Sequence, residues 1–179
     1  MTWTAPMTAI SGSVFTAAQF NTHVRDNLNE TAPGKASMVS SFFVGNGPNS
    51  IVERLPDVAN VGTLETTTSV TYTDLATVGP SVTTDTGNRA LVFIRCAMEN
   101  TGANDSSFMT FEVSGASSFA ASDTFAINID GLAAASRMRL GSMYMISTLT
   151  GGSNTFTAKY KVSAGTGTFL SRQIAVLPL

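Results

Sequence analysis

The 179-residue sequence contains one cysteine, Cys96, and one histidine, His23. A single cysteine excludes an internal disulfide and any cysteine-based zinc cluster. A single histidine excludes His-rich metal sites and most triad chemistry. Charge is also scarce. Only 12% of residues are charged, about half the usual share of about 25%. The net charge is −2, and the basic residues are spread thinly. No stripe exists to neutralise phosphates, so a nucleic-acid partner is not expected. No apolar run approaches the roughly 18 residues of a membrane span, so membrane insertion is not expected either. The N-terminus carries no basic region followed by an apolar one, so no signal peptide is expected.

Hydrophobic residues make up 43% of the chain, and Ser and Thr supply roughly a quarter of it. This balance suits a β-rich protein with neutral, polar outer faces. The length fits one domain of ordinary size with a short appendage.

The first element is a helix over about 16–29. Thr16 and Gln19 have the spacing of a capping box, and Phe15 and Phe20 that of a hydrophobic staple. Phe20, Val24 and Leu28 fall at i, i+4 and i+8 and make one apolar stripe, which Ala17 extends. Pro33-Gly34 blocks continuation. A helix this short is marginal alone in water, so its stripe needs a partner surface. From about 38 to 55, two β-prone arms flank Gly45-Asn46-Gly47-Pro48-Asn49, the pattern of a hairpin or a pair of extended segments. Asp57 to Thr63 reads as a linker, which divides the chain into a segment 1–60 and a domain 61–179.

From Thr63 onward the period is two. Ala90, Val92, Ile94, Cys96 and Met98 alternate with Leu91, Phe93, Arg95, Ala97 and Glu99. Phe125, Ile127 and Ile129 share one face of a further strand. Phe156, Ala158, Tyr160 and Val162 form a core face against Thr155, Thr157, Lys159 and Lys161. Leu170, Arg172, Ile174 and Val176 close the series on one face. Gly-, Pro- and Asn-rich turns separate the strands. The fold expected is mainly β, an antiparallel jelly-roll-like β-sandwich preceded by a short N-terminal α-helix and an extended or hairpin segment.

No catalytic residue, cofactor-binding residue or metal ligand stands out. His23 has no nucleophile or orienting acid at local spacing and reads as a surface or interface residue. Cys96 reads as a buried, inert hydrophobe. The acidic residues are dispersed, without EF-hand spacing or a close carboxylate pair. Asp123 and Asp130 could meet in a loop calcium site, but turn and cap roles suit them better. An enzyme is therefore not expected. More informative are strands that are apolar on both faces. Leu91, Phe93 and Arg95 lie opposite the core residues of their strand, and Arg137, Arg139, Met143 and Met145 do so on another. An outer face of this kind needs a cover, and Met and Arg are enriched at subunit interfaces. The alternative cover is the region before Thr63.

The leader Met1-Thr2-Trp3-Thr4-Ala5-Pro6, then Phe15-Thr16-Ala17-Ala18-Gln19-Phe20-Asn21-Thr22-His23-Val24-Arg25-Asp26-Asn27-Leu28, resembles that of virion structural proteins of tailed phages infecting actinobacteria. The string from Asn21 to Leu28 is its most specific part. Phe43 to Ile51 is similar to the Gly/Asn-turn segment that follows in such proteins, of the minor tail or head-decoration type. The resemblance implies an accessory protein of the phage particle surface, made in the host cytoplasm. It implies docking to capsid, neck or tail proteins through 1–60, with Phe15, Phe20, Val24 and Leu28 as contacts, and a projecting β-sandwich. It also implies a closed homo-oligomer, with a homotrimer expected. Leu91, Phe93, Arg95, Arg137, Arg139, Met143 and Met145 are the expected subunit interface. The rival expectation is a module binding host-surface glycans, with Phe119, Tyr72 and Asn104 as candidate contacts.

Overall fold

A computed structural model describes residues 3–179, without the side chain of Pro33. Met1 and Thr2, which open the leader, lie outside the described residues. The chain forms two compact units, Met1–Leu55 and Pro56–Leu179. They part at Leu55/Pro56, ahead of the 60/61 boundary expected from the sequence.

In the first unit, α1 (Ala17–Phe20), a π-helical turn (Asn21–Arg25) and α2 (Asp26–Asn29) run on without a break. The capping box forms. The Gln19 amide donates to Thr16 Oγ1 at 3.2 Å, and the Thr16 amide donates to Gln19 Oε1 at 2.9 Å. The staple forms too, with the Phe15 and Phe20 rings edge to face at 6.1 Å. The helix was expected to be α throughout. Instead the Asp26 amide reaches back to the Asn21 carbonyl and opens a wider turn. Just beyond it, Asn27 holds the leader against the helix. Its Oδ1 accepts from the Thr4 amide at 2.8 Å, and its Nδ2 donates to the Thr4 and His23 carbonyls at 2.9 and 3.1 Å. Pro33 does not merely stop the helix. It lies in the first turn of α3 (Ala32–Lys35), where its missing N–H would have no partner anyway.

β1 (Phe42–Gly45) and β2 (Ile51–Arg54) pair antiparallel as a hairpin. Glu53 ties the hairpin to the chain before it. Its carboxylate accepts from the Ser37 and Met38 amides and from the Ser37 and Ser41 hydroxyls. These bonds, led by that of the Ser37 hydroxyl, pull its carboxyl down from the ordinary 4.5 to about 2. Among the described side chains of this unit, only that of Asn27 is buried, so the unit has no apolar core of its own.

The second unit is built from β3 (Asp57–Val61), β4 (Glu65–Thr67), β5 (Ser81–Thr86), β6 (Ala90–Asn100), β7 (Ser107–Gly115), β8 (Ile127–Ile129), β9 (Met138–Ile146), β10 (Gly152–Val162) and β11 (Gly167–Pro178). All pairs are antiparallel, in sheets ordered β5-β10-β7-β8 and β3-β11-β6-β9, with β4 also on β11. The pairing is nested. β3 joins β11, β5 joins β10, β6 joins β9, and β7 joins β8. One long hairpin is thus rolled up so that alternate pairs fall in the two sheets, which is a jelly roll. The segment read as a linker is strand β3, held along β11 from Asp57 opposite Val176 to Val61 opposite Arg172. Its pairing is wholly non-local, so its own residues gave little sign of it. Phe125, expected in a strand with Ile127 and Ile129, lies in a 3₁₀ turn, Asp123–Phe125.

Between the sheets, Val92, Ile94, Cys96, Met98, Phe156 and Tyr160 are buried. The close of the chain departs from simple alternation. β11 carries a bulge, because Leu170 pairs with Ala97 but Gln173 pairs with Arg95. The extra residue is accommodated at Ser171, in the left-handed region at φ 52°. Phe169 faces the core before the bulge, and Arg172, Ile174 and Val176 face it afterwards. Leu170, expected on the same face as Arg172, is therefore thrown off it.

The bulge delivers a guanidinium to the core. Arg172 is fully buried. Its Nη2 pairs with Glu65 Oε2 at 3.0 Å and donates to Thr63 Oγ1 at 3.2 Å. The guanidinium lies over the Tyr160 ring at 5.4 Å. Burial pushes the Glu65 carboxyl up. Hydrogen bonds from Thr77 and the charge of Arg172 outweigh this and hold it below its ordinary value. Two buried asparagines secure the loops. Asn100 Nδ2 donates to Ser106, Ser107 and Ala164, and Asn154 Nδ2 donates to Thr86, Thr150 and Gly152.

Two expectations follow. Because the Glu53 pKa is lowered on folding, its contribution to stability is complete above pH 4.5 and is lost as pH falls through about 2. The Glu53 side-chain carbon resonance should titrate with a midpoint near 2, and a midpoint near 4.5 would mean that the carboxylate cage does not form in solution. Glu65→Ala leaves the buried Arg172 charge unpaired and should cost about 3–5 kcal/mol in urea unfolding. A loss below about 1 kcal/mol, within the range of an exposed pair, would remove the pair from the fold's essential contacts.

Candidate assembly surface

The two outer faces of the jelly roll differ in chemistry. On the β5-β10-β7-β8 sheet the polar groups satisfy one another. Ser81 bonds Thr157 at 2.9 Å and Thr83 bonds Thr155 at 2.8 Å. Lys159 lies between Asp74 at 2.8 Å and Glu112 at 3.1 Å. Lys161 pairs with Asp123 at 2.6 Å and sits over the Tyr72 ring at 4.7 Å. Such a face is complete in water.

The outer face of the β3-β11-β6-β9 sheet is apolar. The register lines up Val58, Ala175, Phe93 and Met143 in one row across four strands. The next row carries Leu177, Leu91 and Met145. Val58 is 51% exposed, Phe93 43%, Met143 54% and Met145 50%. Contiguous apolar patches on a monomer are commonly contact sites. Two hollows interrupt the surface. One of about 260 Å³ lies over Ala175, walled by Pro56, Asp57, Val58, Phe93 and Leu177. The other, about 400 Å³, lies at Gly141 among Phe93, Arg95, Met143 and Gln173. A Cβ at Gly141 would approach the Ile94 carbonyl to 3.2 Å, so glycine keeps this hollow open.

The structure brings five of the seven expected interface residues, Leu91, Phe93, Arg95, Met143 and Met145, onto this one surface. Arg139 lies further along β9, opposite Ala97. Arg95 and Arg139 are exposed and have no carboxylate partner among the described residues. Arg137 differs, because it pairs with Glu99 at 3.0 Å within the chain. Sequence reasoning missed Val58, Ala175 and Leu177. Val58 lay in the supposed linker. Ala175 and Leu177 were in an alternation whose other face drew all the notice, and their neighbours lie on distant strands.

In the first unit, the expected docking contacts Phe15, Phe20 and Leu28 are exposed, and Val24 is half-buried. His23 is tied down locally, its Nδ1–H donating to the Ala5 carbonyl at 3.1 Å. The glycan candidates do not converge. Phe119 packs against the core, Tyr72 donates to Asp123 at 2.7 Å beneath Lys161, and Asn104 occupies a left-handed turn position. Asp123 is held by Lys161, and Asp130 accepts from Ser106 at 2.8 Å.

No family model matches the chain, and no curated protein matches it. Among solved structures, the infectious bursal disease virus VP2 subviral particle overlaps it with a TM-score of 0.48 and 13% identity, over 74% of this chain and 36% of that one. The Gt strain structure of infectious bursal disease virus gives 0.47 and 11%, over 75% and 37%. The chain thus spans little more than a third of the length of these proteins. Overlap of this extent says nothing of role, and the jelly-roll assignment rests on the strand pairing above.

Cys96 lies on the core side of β6, fully buried. Burial pushes its thiol up to about 12. Its sulfur is therefore protonated at neutral pH and shielded from reagents. Ellman's reagent at pH 8 should leave native protein unlabelled and label one thiol per chain in denaturant. Fast native labelling would show that the sheets part at β6.

Proposed function

We propose that this protein is a non-enzymatic structural accessory of a bacteriophage particle, a capsid decoration, head fibre or minor tail component. It docks through Met1–Leu55, projects the jelly roll, and assembles as a homotrimer. The observation that carries the reading is the exposure of Phe15, beside the helix cap, and of Phe20 and Leu28 of the helical stripe, on a unit with no apolar core among its described residues. Burying a large apolar side chain contributes roughly 1.5–3 kcal/mol. The stripe therefore holds binding energy that the unit does not use internally. The resemblance of the leader points to a virion as the place where it is used. The self-satisfied hydroxyl face of the jelly roll suits an outward position.

The test is incorporation. Phe20→Asp combined with Val24→Asp should remove the protein from purified particles and leave the unfolding midpoint of Pro56–Leu179 unchanged. Mutant protein present on particles at normal copy number would refute docking through this stripe.

A further inference from the structure

We infer that the apolar face of the β3-β11-β6-β9 sheet is covered by a second copy of this chain, with the β9 side of one copy against the β3 side of the next. The inference rests on the homotrimer reading above and names the surfaces that make it.

The two sides of the face differ, and they complement each other. On the β9 side, Met143 and Met145 stand up as a ridge, both about half exposed. Unbranched thioether side chains adapt to irregular hollows. On the β3 side the surface dips over Ala175, between Val58 and Phe93, to a hollow of about 260 Å³. The charges are divided in the same sense. Arg95 stands directly opposite Gly141, diagonal to Met143, and has no carboxylate partner among the described residues. Asp57 borders the Ala175 hollow at the exposed edge of β3, and among the described residues its carboxylate takes one hydrogen bond, from the following Val58 amide at 2.7 Å. Seating the methionine ridge of one copy in the hollow of the next brings an unpaired cation towards an unpaired carboxylate. A contact between unlike patches is heterologous and closes into a ring when the rotation allows it. Three sheets facing a common axis use both halves of every face. A foreign partner would need to supply ridge, hollow and both charges anew, whereas a copy of the chain already carries all four.

Cysteine cross-linking tests the contact on the full chain. Val58 and Met143 occupy one row on the two outer strands. Three strand spacings put them about 14 Å apart within a chain, twice the roughly 7 Å limit for a disulfide. Cys96 is buried and takes no part. The double variant Val58→Cys, Met143→Cys should oxidise to a covalent trimer on a non-reducing gel. Each single variant should stay uncross-linked. Both sites are half exposed, so neither substitution threatens the fold. Light scattering on the wild-type chain separates the ways of failing. A trimer in solution without cross-linking of the double variant would overturn this contact and leave the trimer standing. Covalent dimers alone would replace the ring with a two-fold contact and overturn both. A monomeric wild-type chain would overturn both as well, and docking through Phe20 and Val24 would remain open to its own test.

Discussion

A single buried guanidinium organises the jelly roll. Arg172 reaches the core because one extra residue at Ser171 reverses the facing of β11. Once inside, it must find an anion, and Glu65 supplies one from the neighbouring segment on the same edge of β11. That requirement fixes where β4 lies. β3 and β4 then follow one another along β11 on either side of the bulge. Glu65 in turn accepts from Thr77, anchoring the long connection to β5. The ring of Tyr160 under the guanidinium carries the same constraint to the opposite sheet. A buried pair of this kind adds little net stability over an apolar alternative, but half of it is worse than none.

Much of this was legible in the sequence. The cap and staple around Thr16 and Phe15 were readable because their partners lie within five residues. The core face of β10 was readable because strict alternation from Phe156 to Val162 has one meaning in a half-buried strand. The nested order of strands was anticipated only as a class. β3 was lost because its signal is its partner, more than a hundred residues away. The phase of β11 was lost at Leu170 because a bulge leaves no mark in an alternating pattern. Asn27, Asn100 and Asn154 were overlooked for a related reason. Their value lies in the backbone groups they satisfy, and these become neighbours only in the fold.

The candidate surface shows the same division. Its centre on β6 and β9 was visible as strands apolar on both sides. Its extent was not, since Val58, Ala175 and Leu177 join it through register alone. The contrast with the other sheet is what gives the surface meaning. There every lysine has its carboxylate, and the threonines pair across strands. Here, among the described residues, two arginines have no carboxylate partner and several apolar side chains are exposed. The same polypeptide thus carries one face finished for water and one face that is not.

The nested pairing has a consequence for synthesis. β3, near the start of the jelly roll, pairs with β11, its last strand, and the unfinished face spans β3, β11, β6 and β9. That face is not continuous until β11 is laid between β3 and β6. Folding of so non-local a topology is slow to begin, because long loops must close before contacts reward them. Chains that lack β11 also lack the rows that join Val58 to Phe93 and Met143. The continuous apolar face therefore forms only with the completed jelly roll, as a product of the whole topology rather than of any local segment.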